Sequence, residues 1–459
     1  MFYATLAALA ACLLFFVWVA LRGRSAASSL DDYLTARGSQ SASTLGLSFF
    51  ASGLGAWILF APPEIGAFVG PVALAGYALG AALPFFLLAA FGAEIRRRMP
   101  RGRTIAEFAQ ERFGRPMRLW VSALSALYML CFITAELTAI GGITALLSEV
   151  PGAWVIVAVA ASTLVYTTWG GLHASLITDR WQAWMLLGLL VLVVAVLLIN
   201  LPSPSHPWQQ APLNVSLSVA ATLVIAVTAA NLFHQGYWQR VWSAQDDAHL
   251  RRGAWLGGLM SIPVIALIGF LGMLCVALGK SPGSPPMPFF ALLSDAPAWL
   301  AVPVLLLAVA LVASSVDTLQ SAIASLVVTA RPEVSLKAAR WVTVLLMLPV
   351  IWVSLQGLSV LRLFLIADLL CATAVVPILL GLWRRVNPGA AVGGCLAGLL
   401  GAVLPGWWAG GSLQAGLLAA SFPNSIPTLA PFAAALLASS AISLLLVWIS
   451  SAAGRGRAA

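Results

Sequence analysis

The amino-acid sequence predicts an all-α polytopic membrane protein of about 13 transmembrane helices. Three observations carry that prediction. Of 459 residues, 61% are hydrophobic and 8% charged, whereas a soluble domain carries roughly one quarter charged residues. Runs of roughly 20 mostly apolar residues, the length that crosses a bilayer, recur along the whole chain. Lys and Arg collect in alternate loops, the asymmetry that sets membrane orientation.

Taken in order, the first run, 3–21, follows Met1-Phe2-Tyr3, which lacks the basic start of a signal peptide, so it reads as a retained helix. The run 43–70 carries the breakers Gly53, Gly55, Pro62 and Pro63, with Glu64 near its end. Then come 72–95, the basic loop Arg96–Arg118, and 118–147, which holds Glu136 in its interior. Runs 152–169 and 180–201 follow, with Asp179 near the start of the second, and then the Pro-rich stretch Pro202–Pro212. The run 216–236 ends through the breakers Asn231 and Gly236. The remainder are 253–279, 298–330 with Asp317, 338–357, 359–382 with Asp368, 388–410 and 430–452. All five cysteines (Cys12, Cys131, Cys275, Cys371, Cys395) lie inside runs with no disulfide or zinc spacing, as small packing residues.

The net charge of +9 invites a nucleic-acid partner, but the positions of the charges exclude that reading. With the N-terminus outside, the inner loops hold Arg22, Arg24, Arg37, eight Arg from Arg96 to Arg118, Arg180, Arg240, Arg251, Arg252, Arg331, Lys337, Arg340, Arg384, Arg385, Arg455 and Arg457. Lys280 and Arg362 are left on the other side. This predicts a multi-pass inner-membrane protein with its N-terminus outside and its C-terminus cytoplasmic.

The chain has no soluble domain, so function lives within the bilayer. Ten runs between 43 and 382 divide into two sets of five, about 43–201 and 216–382. Five is odd, so the second set is inserted upside down relative to the first, as in inverted-repeat transporters. Residues 1–42 add an N-terminal helix and inner loop, and 383–459 add two accessory helices. The breakers fall in the first helix of each half, where unwound backbone coordinates ions or solute.

Ionisable groups inside hydrocarbon are costly and mark function. Glu136, Asp317 and Asp368 lie well inside runs; each also has the plainer reading of a hydrogen bond between helices. Ser314, Ser315 and Asp317 put hydroxyls and a carboxylate within about one helical turn, hard oxygen donors that suit Na⁺. The same small residues also suit helix packing. His173, His206, His234 and His249 are scattered, and no metalloprotease, P-loop or nucleophile-elbow motif is present. An enzyme, a cofactor and a metal beyond Na⁺ are therefore not expected.

Four motifs, within about Asp31–Gly394, resemble the sodium:solute symporter family. Asp32-Tyr33-Leu34-Thr35-Ala36-Arg37-Gly38 is similar to the family's D-Y-F-L-A-G-R. Leu164-Val165-Tyr166-Thr167-Thr168-Trp169-Gly170-Gly171-Leu172-His173-Ala174 with Thr178-Asp179 is similar to Y-T-x-x-G-G-x-x-A-V-x-x-T-D. Gln235-Gly236-Tyr237-Trp238-Gln239-Arg240 matches Q-x-x-x-Q-R, and Pro377-Ile378-Leu379-Leu380-Gly381-Leu382-Trp383-Arg384-Arg385 matches P-x-L-L-G-L-F-W-K-R.

The resemblance implies a LeuT-type fold of two inverted five-helix repeats, no catalysis, and Na⁺ between the broken first core helix and the eighth. The ligands it implies are the carbonyls of Ala51, Leu54 and Leu311 and the hydroxyls of Ser314 and Ser315. Asp179 matches an aspartate on the ion's exit path, and Asp317 stands where relatives place a hydroxyl of a second cation site. Gly53 replaces an Asp or Asn of several relatives, and Leu311 a common Ala. Trp57, Phe60, Tyr128, Glu136, Phe364 and Asp368 lie on helices that line the family's central pocket; taken singly, their aromatics also suit packing between helices.

The expected function is sodium-coupled symport of a small polar solute, urea-like, an amino acid or similar, by alternating access. Two carboxylates on one cavity favour a neutral or cationic solute over an anion. Phe233–Arg240 and Ala93–Pro100 look most like the urea branch, whose plant and fungal members use protons, so a proton-coupled symporter is the nearest alternative. A solute sensor or channel is the alternative of another class; no signalling domain is expected after Val447.

Overall fold

The computed structural model describes residues 2–23, 27–330, 334–357, 361–424 and 426–456. Met1, Arg24, Arg331, Arg457 and the first two residues of the 359–382 run lie outside them. Among the described residues every named element is helical, and extended backbone pairs at a single bridge, Gln40 with Ala244.

In chain order the helices are α1 (Phe2–Gly23), α2 (Leu30–Thr35), α3 (Ala42–Gly53), α4 (Ala61–Phe68), α5 (Pro71–Leu87), α6 (Ala93–Arg98), α7 (Ile105–Phe113), α8 (Arg115–Leu147), α9 (Gly152–Gly170) and α10 (Leu172–Asn200). Then follow α11 (Leu213–Asn231), α12 (Gln235–Ser243), α13 (Asp247–Ala277), α14 (Pro288–Leu292), α15 (Ala301–Thr329), α16 (Leu336–Leu355), α17 (Leu361–Leu379), α18 (Pro388–Gly410), α19 (Leu413–Ala420) and α20 (Leu429–Gly456). Twelve helices are long and apolar enough to cross a membrane, and a thirteenth span arises if the bent pair Ala42–Gly53 and Ala56–Phe68 is taken together. The chain is a multi-pass membrane protein. Its outer surface carries side chains such as Leu400, Trp408 and Trp448 that no water-facing surface would gather in such number.

At the centre stands α15, whose residues from Leu307 to Leu326 are all buried. It packs against α3, α8, α9, α10 and α16. Helix α13 meets α3 and α4 through glycine. A Cβ on Gly272 would come within 1.9 Å of the Pro63 carbonyl oxygen, and one on Gly66 within 2.1 Å of that of Gly269. Small residues let helix backbones approach this closely where lipid offers no hydrophobic drive to association. Outside this core, α18 and α20 pack on each other and on α17, and α1 lies against α9 and α10.

Three placements correct the sequence reading. Asp179 does not sit at a span end: α10 starts at Leu172 and buries Asp179 two turns inside. A single residue, Gly171 (φ +57°), joins α9 to α10, and a Cβ there would fall 2.2 Å from the Tyr33 carbonyl oxygen. Arg240 is not a loop cation: the run 216–236 breaks after Asn231, and the short α12 that follows is buried along its whole length. The basic stretch 96–118 contains a formed helix, α7, started by a capping box in which Thr104 and Glu107 bond reciprocally to the backbone.

Candidate ion and solute sites

The break in the first core helix borders both candidate sites. The α-helical ladder of α3 stops at Gly53; Leu54 (φ −110°, ψ 105°) and Gly55 (φ −100°, ψ −172°) run extended. A short 3₁₀ turn, Ala56–Leu59, restarts the chain toward α4 at a bend of 58°. Pro62 and Pro63 lie in the first turn of α4, where a missing N–H costs nothing, so they begin the second half instead of making the break. The Ala51 carbonyl accepts a long bond from Leu54 N–H, 3.4 Å.

Opposite this strand, α15 presents Leu311, Ser314 and Ser315, all buried. One carboxylate ties the two helices together. Asp179 Oδ1 accepts Ser314 Oγ–H at 2.6 Å, and Oδ2 accepts Ser48 Oγ–H, from α3, at 2.5 Å. The hydroxyl of Ser315 is buried without a hydrogen-bond partner among the described residues.

Arg240 completes the cluster. Its Nη2 pairs with Asp179 Oδ2 at 2.7 Å and donates to Thr318 Oγ1 at 2.9 Å. Its Nε donates to Ser48 Oγ at 2.7 Å and its Nη1 to the Gly236 carbonyl at 2.8 Å. The pair has no solvent exposure, so it persists only because nearly every donor and lone pair is used. Asp317, one turn along α15, accepts Tyr166 O–H and Ser175 Oγ–H at 2.7 Å each and Thr178 Oγ1–H at 3.0 Å. One carboxylate, Asp179, thus holds the guanidinium, while the second, Asp317, is met by hydroxyls. Ser48, Arg240, Thr318, Tyr166, Ser175 and Thr178 were not singled out from sequence; four of them fall inside the quoted motifs, which was the available signal.

On the other side of the break lies a cavity of about 550 Å³, within the range of small-molecule sites. Trp57, Phe60, Tyr128, Glu136, Phe364 and Asp368 all line it. Trp57 stacks on Tyr77 (centroids 5.4 Å apart, planes at 22°), and Tyr128 packs on Phe364 at 5.5 Å and on Phe132 at 5.9 Å. Tyr128 O–H donates to Asn231 Oδ1 at 3.2 Å. Tyr77 and Phe132 were missed, since neither sits in a motif, and Asn231 was read only as a helix breaker. No Lys, Arg or His is among the lining residues. The two carboxylates differ: Glu136 Oε2 accepts the Ala56 N–H at 2.7 Å, while Asp368 Oδ1 is buried without a partner among the described residues.

Polar layers close the side of the cluster toward the basic loops. Gln239 donates to the Leu34 carbonyl at 2.8 Å, and Gln235 to that of Arg103 at 2.7 Å. Asp31 takes a bidentate pair from Arg37 (2.8 and 2.9 Å) and a bond from Arg103 Nε at 3.0 Å. Hydrogen bonding from Arg37, helped by Arg103, holds the Asp31 carboxyl down at about 2 despite partial burial.

Residues 33–398 match the model of the sodium:solute symporter family. The chain is similar to the spermidine transporter DUR31 of Candida albicans, 29% identical over 392 residues, which span 82% of this chain and 74% of that protein. Among solved structures it resembles a substrate-bound, outward-open Na⁺-coupled sialic acid symporter at 17% identity and TM-score 0.74, covering 96% of this chain and 97% of that one. It also resembles Mhp1 in its inward-facing conformation, at 17% identity and TM-score 0.57, covering 94% and 96%. The architecture is therefore the LeuT-type fold.

Proposed function

This chain belongs to the sodium:solute symporter family, a secondary-transporter family, and we propose that it imports a small organic amine cation by sodium-coupled alternating access. One observation carries the solute class. The cavity has aromatic walls, no basic residue, and a buried carboxylate whose oxygen lacks a partner. Aromatic faces attract cations, and an ammonium group satisfies a buried carboxylate that would otherwise carry a large desolvation cost. The name of the Candida relative, a transporter of the polyamine spermidine, points the same way.

In this reading Na⁺ sits among the carbonyls of Ala51, Leu54 and Leu311 and the hydroxyls of Ser314 and Ser315. The two five-helix sets, about 43–201 and 216–382, rock around ion and solute. With the N-terminus outside and the basic loops in the cytoplasm, each entering positive charge gains about 2.3 kcal/mol per 100 mV of negative-inside potential.

A proton-coupled symporter is the second reading. It is favoured by Asp317, a fully buried carboxylate beside Asp179 with hydroxyl partners in place of a cation. Thermal unfolding of the purified protein against amines, urea, amino acids, sugars and carboxylates, each in Na⁺ and in K⁺, tests both. A solute at 100 times its dissociation constant adds roughly 2.7 kcal/mol of stability. Stabilisation by an amine that requires Na⁺ supports the proposal. Stabilisation by urea, or by an amine with pH dependence and no Na⁺ requirement, favours the second reading. Uphill accumulation in proteoliposomes separates either from a channel or a sensor.

A further inference from the structure

Glu136 joins the solute cavity to the unwound segment. It reaches from the middle of α8 and is 1% exposed. Its Oε2 accepts the N–H of Ala56, the first residue of the 3₁₀ turn after the break, and the N–H groups that open a helical turn have no partner within it. The carboxylate lies flat against Gly55, where a Cβ would come within 2.1 Å of Oε1. Gly55 has an ordinary extended conformation (φ −100°), so the requirement for glycine there comes from this contact and not from backbone strain. The same carboxylate lines the cavity together with Trp57 and Asp368, whose Oδ1 lacks a partner among the described residues. Just before Gly55, at the end of α3, lie Ala51 and Leu54, whose carbonyls the proposed Na⁺ site uses.

The two cavity carboxylates therefore have separate tasks. Asp368 is free to anchor a cationic group. Glu136 is partly engaged with backbone, yet keeps lone pairs turned to the cavity, since a carboxylate offers about four acceptor positions. We propose that Glu136 couples solute to ion. An ammonium group that reaches it holds the carboxylate in place over Gly55 and Ala56, and so holds the unwound carbonyls in the shape that binds Na⁺. The inference rests on the amine-cation reading above. Because linkage is reciprocal, Na⁺ bound at those carbonyls in turn tightens the cavity around the amine. Glu136 is a positioning residue for the ion site and a contact for the solute.

The test is the Na⁺ affinity of the purified full chain with and without saturating spermidine, read by ²²Na⁺ binding, in wild type, Glu136→Gln, Gly55→Ala and Asp368→Asn. Spermidine tightens Na⁺ binding to wild type about tenfold, within the usual range of coupling between sites. In Glu136→Gln and Gly55→Ala that factor falls below about twofold, a larger loss than either variant shows in Na⁺ binding without spermidine. Glu136→Gln keeps an oxygen to accept the Ala56 N–H, so its readout stands even if Gly55→Ala fails to fold. Full linkage in Glu136→Gln overturns the proposal. So does a loss of Na⁺ binding without spermidine as large as the loss of linkage, since a purely structural cap weakens both alike. Unchanged spermidine binding in Asp368→Asn, with linkage lost in Glu136→Gln, overturns the amine-anchor reading and leaves the coupling standing. A wild-type Na⁺ affinity that spermidine does not shift overturns both.

Discussion

The two sides of the helix break are built on opposite principles. On the cluster side, Asp179, Arg240, Asp317 and their hydroxyl neighbours satisfy one another almost completely. On the cavity side, aromatic rings enclose a carboxylate oxygen that no described residue satisfies. The first region contributes to its own stability, whereas the second holds an unmet demand that costs stability until a ligand arrives. Binding sites commonly trade stability for function in this way.

The largest effect expected from breaking this contrast is on the cluster side. Arg240→Ala leaves Asp179 buried and unpaired, which costs about 3–5 kcal/mol. Denaturation of the purified protein without ligand should show that loss, with Arg240→Lys intermediate because an ammonium cannot reproduce the guanidinium fork. Asp368→Asn should behave oppositely. It removes a charge-assisted contact worth about 1.5–3 kcal/mol of solute binding, roughly tenfold to a hundredfold in affinity. The unliganded protein should remain as stable as wild type or become more so. A drop in its unliganded stability would erase the distinction between the two regions.

A smaller effect concerns the ion. Ser314→Ala with Ser315→Ala should raise the Na⁺ concentration for half-maximal uptake about tenfold, the equivalent of one or two hydrogen-bond-strength contacts, with membrane insertion intact. An unchanged Na⁺ dependence would remove those hydroxyls from the ion site.

The smallest effect lies at the surface. The folded Asp31 carboxyl is depressed to about 2 from 3.8, so the Asp31–Arg37–Arg103 group contributes stability above about pH 3.8. That contribution fades as pH falls toward 2. At 37% side-chain exposure for Asp31 it is worth at most about 1 kcal/mol and is screened by salt. Melting temperatures between pH 5 and 2 at low and high salt should show it, and Asp31→Asn should abolish that part of the pH dependence.

The spans were legible because a bilayer demands long apolar runs, and Gly53 and Gly55 exposed the first break because a membrane helix tolerates such residues where backbone must be free. Asp179 was misplaced for a definable reason. Its neighbours Thr178 and Arg180 lower the local hydropathy, and the one-residue joint at Gly171 hides the true start of α10. Arg240 was counted with the loops because an arginine after a polar glutamine pair reads as a helix end. Only the three-dimensional meeting of α3, α10, α12 and α15 shows that its charge is neutralised internally. Helix α7 carried its Thr104-x-x-Glu107 start signal in plain view, but density of arginine masked it. The unequal tasks of Glu136 and Asp368 depend on which one meets the backbone of Ala56, a contact across 80 residues that no local pattern encodes.

The short helix α12 also bears on how the chain is made. Its Gln235, Gln239 and Arg240 are too polar to enter lipid unaided, and synthesis proceeds from the N-terminus. Asp179 and Ser48 leave the ribosome before Arg240 does, so the acceptor for this charge is already present when α12 emerges. Asp317 likewise arrives after Tyr166, Ser175 and Thr178. The first half of the protein thereby acts as a template that receives the buried charges of the second, and the order of the chain spares the insertion machinery from releasing an unpaired arginine into the membrane.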